Sequence, residues 1–422
     1  MHETAGEKSE LNVINNRWFQ LIGSLVAMIM IANLQYAWTL FVKPMQAATG
    51  WALPQIQWAF TLFILFQTWV QPLEGWLIDK LGPSPFIATA GVLCGAGWTL
   101  MGFAHTPAEL YVCYCLAGVG AAFVYSGSMG SGLKWFPDRR GLAAGIMAAG
   151  YGAGTALMIP LVAALIKHHG YRTAFLGTGI LQGGIILAVA PFLRHPSSSS
   201  AKPTVRRSPH PRVRRNTEQF TTGEMLCTPQ FYLLYVMLVA MATGGLLVTA
   251  QAGPIAASWG LSVAALTTAL SLSPIANGAS RIFWGWLSDR TGRENAMFLA
   301  FLLQAACLVA VIRFGRLSGT WFTVTLVLTF FTWGEVFSLF PSTAGDYFGS
   351  RNATSNYSFL YTAKGVASII GGGLATLLFE RFGSWSAGFY GSAALAFASA
   401  LLALGLRWIP LPRKAPQAAA TQ

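Results

Sequence analysis

The stretch SLSPIANGASRIFWGWLSDRTGR, residues 271–293, begins as an uncharged segment, places Arg281 among apolar neighbours and ends in a polar turn at Asp289 and Arg290. A guanidinium is not deprotonated in a protein, and at bilayer depth it costs from ~3 to more than 10 kcal/mol. Residue 277, one helical turn earlier, is Asn and carries no charge to neutralise it. We therefore interpret Arg281 as the anion-binding residue of a transporter.

The composition excludes most soluble enzymes. Of 422 residues, 54% are hydrophobic and 10% are charged, whereas a soluble domain carries about 25% charged residues. One bilayer crossing needs about 20 apolar residues, and uncharged windows of that length recur along the chain. Counting loops, we predict twelve helices, called spans 1 to 12, at 18–42, 55–78, 85–104, 108–133, 141–166, 172–193, 230–252, 262–288, 294–313, 319–341, 353–379 and 385–408.

One low-complexity stretch divides the chain into two sets of six spans. Residues 195–219 are rich in Ser, Pro and Arg, a composition that cannot bury a core and predicts a mobile cytosolic linker. The predicted domains are a cytosolic tail, a six-helix bundle, a linker, a second six-helix bundle and a second cytosolic tail, at 1–17, 18–193, 194–229, 230–408 and 409–422.

The basic residues indicate the orientation. With twelve spans, nineteen of the 27 Lys and Arg residues lie on the side of both termini, here called the basic face, and six on the opposite side. The positive-inside rule then predicts cytosolic termini in a multi-pass protein of the inner (plasma) membrane. The net charge of +13 is explained by topology and attraction to lipid. We expect no nucleic-acid partner, because the basic residues lie in loops between spans.

The two halves resemble each other. The segment 75–82, GWLIDKLG, matches 285–292, GWLSDRTG, at an offset of 210, and Trp135-Phe136 matches Tyr347-Phe348 at an offset of 212. Two matched pairs at nearly one offset indicate a duplication. We therefore expect parallel repeats related by an axis along the membrane normal.

The G-x-x-x-D-K/R-x-G pattern in both halves resembles the major facilitator superfamily. This resemblance implies an all-α integral membrane fold of twelve helices in two pseudo-symmetric six-helix bundles. The motif glycines allow close backbone approach. The motif aspartates are expected to hold the cytosolic gate closed, either through a neighbouring helix N-terminus or through the arginines that precede spans 5 and 11. The gating residues are Gly75, Asp79, Arg139, Gly285, Asp289 and Arg351.

A second cation, Lys364, shares the depth of Arg281. Arg281 is twelve residues from Arg293, and Lys364 is thirteen from Arg351. At 1.5 Å per residue both lie about 18–20 Å above the basic face. Two cations at one level in a low-dielectric cavity repel each other unless an anion lies between them, which predicts an anion site at mid-depth.

Glu335 is the candidate carboxylate, eleven residues from Asp346 and therefore also about 16 Å deep. Trp333 and Phe337 share a helix face, whereas Glu335 is about 200° from Trp333. If the aromatic face lines the cavity, Glu335 points away from it. We interpret Glu335 as a structural or weakly coupling residue.

Aromatic and polar groups complete the predicted site. Tyrosines can donate hydrogen bonds to carboxylate oxygens, and their rings can stack on a flat anion while excluding water. Taken singly, each is a common packing residue, but their presence on several spans beside two buried cations is informative. The cage residues are Gln35, Tyr36, Tyr125, Tyr151, Trp333 and Tyr361.

Several strings along nearly the whole chain resemble the oxalate:formate antiporter family. Examples are QYAWTL at 35–40, KWFPDRRGLA at 134–143 and AAGYG at 148–152. The resemblance implies that Arg281 and Lys364 bind the two carboxylates of oxalate and that the aromatic residues form the family's cage. There are two departures: Phe337 stands where the family has Tyr, and Tyr361 stands where it has Trp. Both bear on selectivity.

The predicted function is exchange of small carboxylate anions by alternating access, in a monomer that needs no cofactor or metal. The alternative is a proton-coupled monocarboxylate (lactate-type) symporter, which needs a protonatable group near the arginine, where the chain has Asn277. Two further classes are disfavoured. A non-transporting anion sensor would need a signalling domain, and a membrane enzyme would need a nucleophile–base pair at one depth, and the sequence shows neither. The five cysteines show no metal spacing and are interpreted as buried free thiols.

Overall fold

The computed structural model describes residues 16–51, 53–196, 212–370 and 381–414, and the regular elements in these ranges are all helical. The first half contains Arg17–Tyr36 and Trp38–Thr49 (span 1), Leu53–Trp69 and Gln71–Leu81 (span 2), Pro83–Met101 (span 3) and Pro107–Trp135 (span 4). Spans 5 and 6 lie in the run Arg140–Val189, which breaks at Gly170 (φ 81°) and ends in the 3-10 turn Ala190–Phe192. The second half contains Thr222–Leu226, Pro229–Ser258 (span 7), Val263–Thr291 (span 8), Arg293–Ala310 with the π-turn Val311–Gly315 (span 9), Gly319–Trp333 and Val336–Phe348 (span 10), Ala353–Ser368 (span 11) and Ser386–Leu406 (span 12). Each predicted span therefore has its helix, although 371–379 of span 11 lies outside the described residues.

The helices extend further at the basic face than the sequence predicted. Asp289, which the sequence analysis placed in a polar turn, and Asp346, which it placed beyond the end of span 10, lie inside helices. The chain turns instead at Gly82 and Gly292, whose φ angles are 86° and 94°. These angles favour glycine because it has no Cβ. The prediction of a turn at Asp289 was wrong because charged residues also occupy the last turn of a helix that leaves the membrane.

Eight helices in the described ranges are long and apolar enough to cross a membrane, and they correspond to spans 1, 3, 4, 6, 7, 9, 10 and 12. The spans outside this set are 2, 5, 8 and 11. These four lie at the contact between the halves, since span 5 packs on span 8 and the second helix of span 2 packs on span 11, and spans 4 and 10 add to the same contact.

Glycines let spans 5 and 8 touch through their backbones. A Cβ at Gly285 would overlap the carbonyl oxygen of Gly141, and a Cβ at Gly145 would overlap that of Arg281. The duplicated half repeats this arrangement, because a Cβ at Gly75 would lie 2.9 Å from the carbonyl oxygen of Thr354 in span 11. Small residues at helix crossings permit such close packing, which holds the two halves together at the basic face.

The segment 212–221 lies against the basic face of the second half, although residues 212–219 belong to the stretch that the sequence predicts to be a mobile linker. Arg214 donates to the carbonyl oxygens of Leu406, Arg407 and Ile409 at the end of span 12. Asn216 donates through its side chain to the carbonyl oxygen of Tyr347. Residues 197–211 lie outside the described ranges. The composition failed to predict the docking because it does not report backbone acceptors at helix ends.

All five cysteines are free thiols, as expected, but their burial differs from the prediction. Cys94 is buried, Cys113, Cys115 and Cys307 are half-buried, and Cys227 is exposed. Cys227 ends the short helix Thr222–Leu226, which lies at the basic face rather than inside the bundle.

Candidate functional site

Asp289 connects the two halves at the basic face by accepting hydrogen bonds from the start of span 5. Its carboxylate oxygens accept from the backbone N–H groups of Gly141 and Leu142, at 3.0 and 2.9 Å. These N–H groups have no partner within their own helix, and the helix dipole favours a negative charge there. Arg293 of the same half lies 2.7 Å from the carboxylate and balances its charge.

Asp79 makes the equivalent contact in the other half. It accepts from the backbone N–H of Ser355 at the start of span 11, at 2.8 Å, and pairs with Lys134 at 2.6 Å. His195 lies beside Lys134, with 3.0 Å between its Nε2 and the lysine Nζ. Burial and the nearby Lys134 lower the pKa of His195 to about 4, so the imidazole is neutral at physiological pH and adds no positive charge to this cluster.

The arginines predicted to pair with the motif aspartates do not do so. Arg139 is half-exposed and lies 4.0 Å from Asp138, and Arg351 is exposed, with its backbone N–H bonded to Gln219. The sequence left two partners open for the motif aspartates, an arginine or a helix N-terminus. In the structure both aspartates contact a helix N-terminus. Lys134 and Arg293 supply the cations. Helix rotation decides which basic residue of a cluster faces inward, and sequence spacing alone did not resolve it.

Asp346 is the centre of a buried ion-pair network with Arg140, Arg215 and Arg293, called the hub below, which the sequence analysis missed. It is fully buried and lies within 2.8 Å of Arg140, 3.2 Å of Arg215 and 2.7 Å of Arg293. Arg140 belongs to the first half, Arg215 to the linker and Arg293 to the second half. Among the described residues, Arg140–Asp346 is the ion pair that joins the two halves. The sequence signal for this pair was the doublet Arg139-Arg140, from which the sequence analysis chose Arg139 instead of Arg140.

Arg281 is completely buried at the contact between spans 5 and 8. Its Nη1 donates to the carbonyl oxygen of Ala148 at 2.5 Å, and its Nη2 donates to Asn277 Oδ1 at 2.7 Å. Asn277 is itself held, because its Nδ2 donates to the carbonyl oxygen of Phe330. A Cβ at Gly152 would lie 2.9 Å from the guanidinium carbon, so that glycine makes the space. The charge is thus positioned by neutral groups.

Lys364 lies close to Arg281, as the depth argument predicted. The guanidinium carbon of Arg281 is 4.4 Å and the Nζ of Lys364 is 5.8 Å from the centre of the Phe337 ring. The two charges cannot be farther apart than these distances combined. Lys364 is buried and donates to the Tyr361 hydroxyl at 3.0 Å. Cations are stabilised over aromatic faces, but the ring leaves the net charge of the pair uncompensated.

Neither cation has a fixed acidic partner among the described residues, since the ion pairs in these ranges involve other side chains. Glu335 is fully buried, and both of its carboxylate oxygens lack a hydrogen-bond partner. Within the described ranges, no carboxylate therefore forms an ion pair with Arg281 or Lys364. The arrangement can bind an anion through charge and N–H donors.

The predicted aromatic residues gather around the cations. Tyr125 stacks on Tyr361 with ring centres 4.7 Å apart, and Tyr36 packs on Tyr151 at 5.6 Å. Trp333 packs edge-on against Phe337 at 5.5 Å. Rings from five spans are thus brought together by the fold, and they enclose the two charges in a low-dielectric setting.

The Tyr151 hydroxyl differs from the sequence expectation, because both of its hydrogen-bonding functions are occupied by protein. It donates to Gln35 Oε1 and accepts from Gln67 Nε2, the latter at 2.7 Å. Gln67 is fully buried and was not a predicted site residue. A glutamine inside a membrane span was the signal that could have identified it, since buried polar groups need a partner.

Known proteins share this fold over most of the chain. The model of the Major Facilitator Superfamily matches residues 23–365 and, in an overlapping second match, 232–422. A solved structure of the transporter FucP in the outward conformation superposes with a TM-score of 0.67 at 14% identity, covering 92% of this chain and 97% of FucP. At this identity the likeness shows the fold alone.

Two relatives carry transporter names. The oxalate:formate antiporter of Oxalobacter formigenes is 38% identical over 401 residues, covering 95% of this chain and 93% of the relative. Monocarboxylate transporter 12 of Mus musculus is 25% identical over 91% of this chain and 84% of its own length. These are transporters rather than enzymes. The chain therefore belongs to the major facilitator superfamily and, within it, to the oxalate:formate antiporter family.

Proposed function

We propose that the protein exchanges small carboxylate anions across the membrane, in an oxalate/formate-type antiport, with Arg281 and Lys364 as the residues that bind the carboxylates. The observation that carries the proposal is the buried cation pair around Phe337, which has no carboxylate partner among the described residues. Two uncompensated charges at one site require a negative ligand. The similarity to the Oxalobacter formigenes antiporter supports the same ligand class.

The charge balance favours exchange over net transport. In the empty carrier, closing the site to both sides would bury two positive charges together, which is costly in a low dielectric. A dianion neutralises both charges, whereas a monoanion neutralises one and relies on hydrogen bonds for the rest. We therefore propose that the loaded carrier changes sides much faster than the empty one. Alternating access then proceeds by rocking of the two halves.

We also propose the orientation and setting. The basic face is cytosolic, as the distribution of Lys and Arg indicates, so both termini are cytosolic and the membrane is the inner (plasma) membrane. The protein works as a monomer in the lipid bilayer, with the site between its own two halves, and it has no nucleic-acid partner. The contacts of Asp289 and Asp79 with opposing helix N-termini then form the cytosolic gate.

Counterflow in proteoliposomes tests the exchange. We expect internal unlabelled oxalate or formate to accelerate uptake of labelled oxalate at least tenfold over empty vesicles. The reason is that the carrier changes sides readily only when an anion occupies its site. A panel of one- to four-carbon carboxylates identifies the preferred ligand, and a neutral sugar serves as the control. Uptake that is equally fast in empty vesicles would contradict exchange.

The second candidate function is a proton-coupled symporter. The observation that favours it is Glu335, because a buried carboxylate without a hydrogen-bond partner can hold a proton. The exchange proposal predicts that Glu335→Gln leaves counterflow within about twofold of the wild type between pH 6 and 8. Glutamine is uncharged and close in size to glutamic acid, so it fits the buried position, and the proposed exchange needs no proton from this residue. A wild-type uptake driven by an inward proton gradient and lost in Glu335→Gln would favour symport instead.

A further inference from the structure

We propose that Gln67 of span 2 is a positioning residue that determines anion selectivity: it acts through the Tyr151 hydroxyl to turn the NH₂ end of the Gln35 amide towards the bound anion. This inference rests on the proposed carboxylate site. It adds a residue that the sequence analysis did not predict, and it defines the ligand group that the first half accepts.

Three side chains from three spans form a chain of hydrogen bonds. Gln67 Nε2 donates to the Tyr151 oxygen at 2.7 Å, and the Tyr151 hydroxyl donates to Gln35 Oε1. Gln67 is fully buried, Tyr151 is 2% exposed and Gln35 is 9% exposed. The chain therefore runs from the interior of the first half, across span 5, to span 1.

The chain has a direction because each of its members is asymmetric. A phenol has one proton to donate, and a carboxamide has an acceptor end and a donor end. Since Gln67 donates to Tyr151, the Tyr151 proton is directed at Gln35, which must receive it on its carbonyl oxygen. The two N–H donors of Gln35 are then at the end that is turned away from Tyr151. Reversing the order would require both amides to turn over.

Tyr151, the middle member of the hydrogen-bond chain, lies beside the cation pair. The Tyr151 ring centre is 6.0 Å from the Nζ of Lys364, and the next residue, Gly152, is where the Arg281 guanidinium packs. Arg and Lys side chains have no acceptor. With Gln35 held in this orientation, Gln35, Arg281 and Lys364 all offer donors to a ligand. These three residues therefore favour a fully ionised carboxylate over an amide of the same shape, because they offer no acceptor to its NH₂ group.

Oxalate and oxamate test this directly, because oxamate replaces one carboxylate by an amide of nearly equal size. The measured quantity is the ratio of their inhibition constants against labelled oxalate counterflow in proteoliposomes. We expect the full-length wild type to prefer oxalate, and Gln67→Met to lower this preference about tenfold, because loss of the donor lets Gln35 turn its carbonyl towards the ligand. Gln67→Asn, which keeps the amide but shortens the side chain, should have the same effect.

Gln71→Met is the matched control. Gln71 is equally buried, lies one turn further along span 2 and donates to the Gln67 carbonyl oxygen rather than to Tyr151. We expect it to change the two constants in parallel and to leave their ratio at the wild-type value. In a Gln35→Met background, Gln67→Met should no longer alter the ratio, because the residue it positions is absent.

The outcomes separate this inference from the proposed function. A wild type that exchanges oxalate, with the same oxalate-to-oxamate ratio in Gln67→Met as in Gln71→Met, overturns the role of Gln67 and leaves the transport proposal standing. A change of ratio that persists in the Gln35→Met background also overturns it. A wild type that exchanges no carboxylate removes both proposals together.

Discussion

Replacing Arg281 by Gln is expected to reduce oxalate counterflow by about a hundredfold or more. The substitution removes the positive charge from a fully buried position where neutral groups hold the guanidinium. A charge-assisted hydrogen bond to a carboxylate contributes about 1.5–3 kcal/mol, and the loss of Coulomb attraction in a low dielectric adds to it. The measurement is labelled-oxalate exchange in proteoliposomes, normalised to the reconstituted protein.

Arg290→Gln is the control for this prediction. Arg290 lies on the same helix at the basic face, with its guanidinium 4.1 Å from the centre of the Trp286 ring. Removing an exposed charge there should alter exchange by no more than a few fold. If Arg281→Gln behaved like Arg290→Gln, the cation pair would not be the ligand site.

Replacing Asp346 by Asn is expected to lower the stability of the protein by about 3–5 kcal/mol, because it removes one partner of a buried ion network. The substitution keeps the shape of the side chain but leaves the guanidinium groups of Arg140 and Arg215 without a carboxylate, whereas Arg293 retains Asp289. Arg140–Asp346 joins the two halves, so the variant should also open the basic face more often. Thermal unfolding in detergent measures the first effect, and thiol labelling of a cysteine placed at Ser288 measures the second.

Asp138→Asn is the matched control for the hub. Asp138 pairs with Arg17 at 3.1 Å, but both side chains are about one-third exposed or more. A solvated pair contributes about 0–1 kcal/mol, so this variant should unfold near the wild-type temperature and label at the wild-type rate. An Asp346→Asn protein that matched it in both measurements would show that the hub does not hold the gate.

The local features of the site could be predicted from the sequence for a simple reason. Depth along one helix is fixed by the rise of 1.5 Å per residue, so the counts from Arg293 and Arg351 placed Arg281 and Lys364 at one level. The structure has both near the Phe337 ring. The repeated G-x-x-x-D motif similarly predicted the close helix contacts at Gly75 and Gly285.

Partners across helices could not be predicted in the same way. The basic cluster Lys134, Arg139 and Arg140 offers several cations at the end of span 4 and the start of span 5, and the rotation of these helices selects which ones are buried. The structure pairs Lys134 with Asp79 and Arg140 with Asp346, and leaves Arg139 half-exposed. The docking of Arg214 on the end of span 12 depends on backbone carbonyl groups, which carry no sequence signature.

The sequence by itself determined the twelve spans, the duplication and the presence of two buried cations at one depth, because hydropathy, repetition and helical rise are properties of single segments. Only the tertiary structure decided that both cations lie near the Phe337 ring, that Asp346 joins the halves and that Gln67 and Gln35 share the Tyr151 hydroxyl. These contacts join residues far apart in the chain, and they depend on how each helix is rotated and tilted against its neighbours.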